Sequence, residues 1–169
     1  MSRRGVHSPY CRAWMSAESL LFLHLVGAFL YVSGAVAAAV LRLAAMRAER
    51  PSEVALLLGA VRPVVPVVAL GLLLVLVFGF WLVDRLGIDL GSTWLVATFA
   101  LLGWTVVVGA VAGRQDRHTR ELAERLAVDG DRPSEELARR LRNPENLALN
   151  GSLLLATIAV VALMVWRPA

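Results

Sequence analysis

His24 is the residue of this sequence best placed to do chemistry, because it is the one acidic or basic side chain inside a long apolar run. An imidazole there can carry a proton, ligate a metal or bond a backbone carbonyl, and ionisable groups in hydrocarbon are costly enough to mark functional positions. Gly27, Ala28, Tyr31, Gly34, Ala35 and Ala38 follow it at helical spacing and are mostly small. That face admits a partner helix or a flat cofactor at close range, and it equally suits plain helix packing with His24 as a structural hydrogen-bonder. Tyr31 lies seven residues along, ~10 Å at helical rise, so it reaches His24 only through an intermediary.

The depth of His24, near the start of its run, is matched by Met164 near the end of the last one. A haem b held by His24 and Met164, with Gly27, Tyr31 and Gly34 on the pocket face, is therefore admissible as a His/Met axial pair. Methionine is also a general apolar filler. His7 and His118 lie outside the apolar runs with no metal-ligand spacing to His24. Cys11 is the single cysteine, so neither an intrachain disulfide nor a thiolate cluster can form. There is no glycine-rich phosphate loop, no Ser/His/Asp arrangement and no pair of intramembrane carboxylates. No catalytic or metal site is expected, and a non-enzymatic role follows.

The elements that must carry these residues are set by composition. At 169 residues and 58% hydrophobic, with positive mean hydropathy, the chain is too apolar for a soluble domain of its size. The apolar residues form four blocks, each near the roughly 20 residues that cross ~30 Å of hydrocarbon. The reading is all-α: an integral membrane four-helix bundle with a cytoplasmic helical extension between helices 3 and 4. Residues 1–18 form a lead-in expected to be poorly ordered, and 19–169 a single domain with spans at about 19–41, 63–83, 93–112 and 147–166. No small-residue cleavage site follows the first block, so a removable signal peptide is not expected. Met15 opens a compact lead-in, Met15 to Ser19, and is an alternative start.

Glu18 and Ser19 are candidate caps for the first span. Pro51, Ser52 and Glu53 read as a helix start, with Val54 to Leu58 as a patch at the membrane surface. Pro63 and Pro66 suit the first turn of the second span, and Asp84 to Gly87 ends it. The short 87–91 hairpin makes the second and third spans antiparallel neighbours. From Arg114 to Leu126 the third helix continues as an amphipathic extension projecting into water, broken at Asp129-Gly130-Asp131. A short helix from Pro133 to Leu141 then precedes the break at Asn143-Pro144.

The 17 basic residues are all arginine, and their placement orients the chain. Arg42, Arg47, Arg50 and Arg62 fall in the first connector, and Arg114 through Arg142 in the third, against Arg85 alone in the second. The positive-inside rule then puts the 42–62 and 113–146 connectors in the cytoplasm and both termini outside, in a bacterial cytoplasmic (inner) membrane. Arg3, Arg4 and Arg12 oppose this unless the chain starts at Met15. Trp14, Trp81, Trp94 and Trp166 all fall at the outer level, with only Trp104 mid-span. The net charge of +4 thus points to lipid headgroups as partners, and not to nucleic acid.

The stretch Leu23 to Ala28 followed by Ser33-Gly34 resembles the first helix of an uncharacterised family of bacterial four-helix predicted integral membrane proteins. Ser92-Thr93-Trp94-Leu95 and Leu163 to Pro168 are similar to it too, so the resemblance covers most of the chain from Ser19 onward. More distantly, the layout is similar to the copper-resistance D type and to the HemJ type of protoporphyrinogen oxidase. That resemblance implies haem or metal chemistry at a first-helix histidine, here His24. The second HemJ landmark, a lysine shortly after a third-helix tryptophan, has no counterpart, since Trp94 is followed by Leu95, Val96, Ala97 and Thr98. Three roles follow in order: a structural or accessory membrane component, alone as a homo-oligomer or within a larger membrane complex; a b-type haem protein centred on His24; and a transporter or channel, for which the spans offer little polar lining.

Overall fold

Nothing inside the four apolar blocks interrupts a helical backbone ladder. Every proline among the described residues falls in a connector or a first helical turn, where its missing N–H costs nothing. The computed structural model, which describes residues 16–166, accordingly contains α1 (Ala17–Arg47), α2 (Pro51–Ala60), α3 (Val64–Leu86), α4 (Thr93–Val128), α5 (Glu135–Leu141) and α6 (Pro144–Trp166), and no strand among those residues. The lead-in up to Met15, with His7, Cys11 and Trp14, lies outside the described residues. Four helical stretches are long and apolar enough to cross a membrane. Large apolar side chains stay uncovered along them, Phe29 at 77% and Leu155 at 68% exposure, as a lipid-facing surface allows.

Helix ends follow local chemistry with small departures from expectation. Ser16, and neither Glu18 nor Ser19, caps α1, accepting a bond from the Ser19 amide at 3.2 Å. The helix runs past Arg42 to Arg47, because no proline or glycine follows to break the ladder and Ala45 is buried in the packing beyond it. Gly87 closes α3 in the left-handed region at φ 63°, which a residue without Cβ adopts freely.

The spans associate as two tight antiparallel pairs. α1 packs along α3 and α4 along α6, while contact between the pairs is sparse. Gly27 meets Gly71, Leu74 and Val75, and Gly34 meets Val68, so the crossing of α1 and α3 is close and its register antiparallel. On α4 the buried series Thr98, Thr105, Ala112 and Thr119 recurs every seven residues, the 3.5-residue period of a helix–helix seam. The second and third spans, α3 and α4, are joined by a short turn yet scarcely touch, which corrects their expected neighbourhood. The glycine face of α1 draws α3 away from α4, and a cavity separates those two helices.

At the arginine-rich end the chain builds a helical cap. Ala45, Val54, Leu58, Ala123 and Leu137, from α1, α2, α4 and α5, form a shared hydrophobic core. The extension of α4 is therefore docked rather than projecting, and Val54 and Leu58 face this core while Leu56 between them stays 74% exposed. An amphipathic segment gains from burying its apolar face, whereas a span in lipid already finds apolar surroundings.

Candidate functional site

His24 is buried on α1 and its Nδ1 lies 3.1 Å from the carbonyl oxygen of Val75 on α3. A carbonyl only accepts, so Nδ1 is the donor, and the bond leaves Nε2 with no hydrogen-bond partner among the described residues. The approach depends on Gly79, where an added Cβ would stand 3.0 Å from His24 Nδ1 and Cε1. A backbone-anchored imidazole, its second nitrogen unbonded by any described residue, is the arrangement that prepares a histidine to ligate or to accept a proton.

The polar side chains buried within the spans collect along the seam between the two helix pairs. His24 and Thr98 line a cavity of about 240 Å³ near the 87–92 turn, together with Gly79, Trp94 and Met164. Tyr31, Thr105 and Thr157 line a second cavity, about 490 Å³, toward the cap. Between the pairs Tyr31 and Thr157 bond at 3.2 Å. Thr157 spends its only proton on the Leu153 carbonyl, so the Tyr31 hydroxyl donates to it. Thr98 and Thr105 likewise turn their hydroxyls back to Trp94 and Leu102 of their own helix.

At the cap end of the seam Arg42 is gripped by two helices. Its Nε donates to Asp116 Oδ2 of α4 at 2.6 Å and its Nη1 to Asn150 Oδ1 of α6 at 2.8 Å. Both charged side chains are under one-fifth exposed, so they satisfy each other at the depth where the first span meets polar surroundings. In the cap itself, Arg50 supplies no side-chain cap for α2. Asp131 does so from the α4–α5 connector, accepting the Ser52 amide at 2.8 Å and the Ser52 hydroxyl at 2.7 Å. These bonds, the hydroxyl first, hold the Asp131 carboxyl below the usual carboxylate range.

Of the residues singled out in the sequence, His24 and Met164 do line one cavity and Tyr31 lines the other. Gly27 and Gly34 line neither cavity: both lie against α3, in helix contact. His118 is exposed beside Glu121, and Asp84 and Arg85 are exposed with no ion pair among the described residues. No cluster of three or more His, Cys, Asp or Glu side chains among the described residues suits a metal ion. Val75, Gly79, Asp116, Asn150 and Thr157 went unnoticed. Their partners lie 51 to 126 residues away in the chain, and no local period reports such a pairing.

Four apolar helices around a lipid-compatible seam define the class: a multi-pass, all-α integral membrane protein. Within it the chain belongs to the family described as "Predicted integral membrane protein (DUF2269)", whose model matches residues 18–168. No curated protein and no solved structure matches the chain, so the likeness to the copper-resistance D and HemJ types gains no support from these comparisons.

Proposed function

We propose that this protein is a non-enzymatic accessory component of the bacterial cytoplasmic membrane, acting as a homo-oligomer or inside a larger membrane complex. The observation that carries the reading is the cap. It has its own hydrophobic core, and Arg47, Arg50, Arg117, Arg125, Arg139 and Arg140 are exposed on it, at the same end of the bundle. By the positive-inside rule that end is cytoplasmic, with both termini outside, and a folded, charged cap is a surface for protein or headgroup contact.

The test uses intact cells and a Cys11→Ser background. Cysteine placed at Gly91 should react with a membrane-impermeant maleimide, and cysteine at Glu136 only after permeabilisation. In mild detergent the full chain should migrate as an oligomer or complex. The reverse labelling pattern overturns the orientation, and a strictly monomeric chain overturns the accessory role.

A second reading is a b-type haem protein, favoured by one observation: His24, whose Nε2 has no hydrogen-bond partner among the described residues, and Met164 line the same cavity from different helix pairs. Donor types suit a His/Met haem. The space of about 240 Å³ is below the ~300–1,000 Å³ usual for ligand pockets, so the helix pairs would have to part. A Soret band in purified protein that disappears in His24→Ala supports this reading; a colourless preparation after haem supplementation removes it.

A further inference from the structure

The cap-side cavity has the shape of a chain-binding slot. From Tyr31 to Arg42 it follows α1 over eleven helical steps, ~16 Å at helical rise, which is about half of the ~30 Å hydrocarbon thickness. It is thus one leaflet deep. Its mid-bilayer end is closed by the Tyr31–Thr157 bond and its cap end by the Arg42–Asn150 bond. The walls are valine, alanine and leucine, and Val65, Val106, Leu154 and Ile158 both line it and stand exposed, so it opens sideways to lipid.

The charge at its mouth selects among lipids. Arg42 is neutralised by Asp116 and has spent Nε, Nη1 and Nη2 on protein partners. Arg62 is different. It sits between Val61 and Val64, which line the cavity, and it is exposed with no ion pair among the described residues. An exposed guanidinium flanked in sequence by two lining residues of a one-leaflet apolar slot complements a phosphate joined to an acyl chain.

We propose that this cavity binds one anionic phospholipid from the adjoining leaflet, an acyl chain lying between the helix pairs up to Tyr31 and the phosphate meeting Arg62. The site depends on the four-span fold and is independent of both the orientation and the haem reading, since a nanodisc offers the same lipids on both faces.

The full chain, placed in nanodiscs containing equal phosphatidylglycerol and phosphatidylethanolamine, is released and weighed by native mass spectrometry. Wild type should retain one phosphatidylglycerol in preference to phosphatidylethanolamine. Ala35→Phe, which fills the cavity wall, should lower that retention about tenfold, and Arg62→Gln should abolish the preference while keeping a bound lipid. Equal retention of the two lipids by wild type, or unchanged retention in a folded Ala35→Phe, overturns the proposal. Should Ala35→Phe not fold, thermal denaturation of wild type decides: phosphatidylglycerol should raise the midpoint above phosphatidylethanolamine, with no rise from inorganic phosphate. A rise with phosphate alone assigns a free-anion site and overturns it too.

Discussion

Gly27 and Gly71 put the backbones of α1 and α3 in contact: a Cβ on Gly71 would lie 2.8 Å from the Gly27 carbonyl oxygen, and one on Gly27 would lie 3.0 Å from that of Gly71. The Gly71 position would also crowd the Tyr31 amide nitrogen at 2.5 Å. Backbone atoms cannot swing aside, so the two helices would have to separate.

Gly71→Ala should therefore lower stability in detergent by about 1–3 kcal/mol, the usual cost of overpacking a tight contact. Gly103 and Gly109 of α4 meet nothing within 4 Å, so alanine there should be neutral or stabilising by up to roughly 1 kcal/mol. Thermal unfolding of the three variants side by side checks the contrast. Equal midpoints would contradict the backbone contact.

The His24–Val75 bond makes His24 and Gly79 a coupled pair. His24→Ala should cost about 0.5–1.5 kcal/mol for the bond plus its packing. Gly79→Ala pushes the imidazole off its seat, so its cost should shrink sharply when His24 is already alanine. A double-mutant cycle measures that coupling; strict additivity would mean that the ring does not rest on Gly79.

Arg42 and Asp116 form a charge pair shielded from water at the end of the spans. Asp116→Asn should destabilise the protein by about 1.5–3 kcal/mol, because it weakens a charge-assisted bond and leaves a guanidinium unneutralised. Joining it with Arg42→Gln should recover part of the loss. Unfolding of the single and double variants checks this, and a double variant worse than the sum of both singles would contradict it.

Asp131 ties the start of α2 to the α4–α5 connector and predicts a pH response. Its carboxyl is depressed in the folded state, so its contribution is fully present above the ordinary value near 3.8 and fades as pH falls through the lower folded value. Hydrogen exchange of the Ser52 to Leu58 amides should thus lose protection below about pH 4. In Asp131→Asn, protection should be weaker at neutral pH and lack that acid step. An identical acid step in the variant would place its origin elsewhere.

Much of this architecture is legible from one dimension. Span number, the breaks at Asp129 to Asp131 and Asn143-Pro144, and the placement of arginine follow from residue-by-residue partition between lipid and water, from turn chemistry and from proline geometry. The small face of α1 is equally visible, since Leu20, His24, Gly27, Tyr31 and Gly34 recur at helical spacing and all are buried. Its meaning is not visible. The spacing alone served a cofactor face as well as a helix contact.

Only the tertiary structure decided that α3 fills that face, that His24 finds Val75 over Gly79, that Asp131 caps a helix 79 residues away, and that the cap has a core. The physical reason is range. Hydropathy and helix period are properties of neighbouring residues, and lipid offers no apolar driving force that favours one helix partner over another. Partner choice therefore rests on where small residues on distant segments come into register, and two glycines 44 residues apart signal nothing until the helices meet.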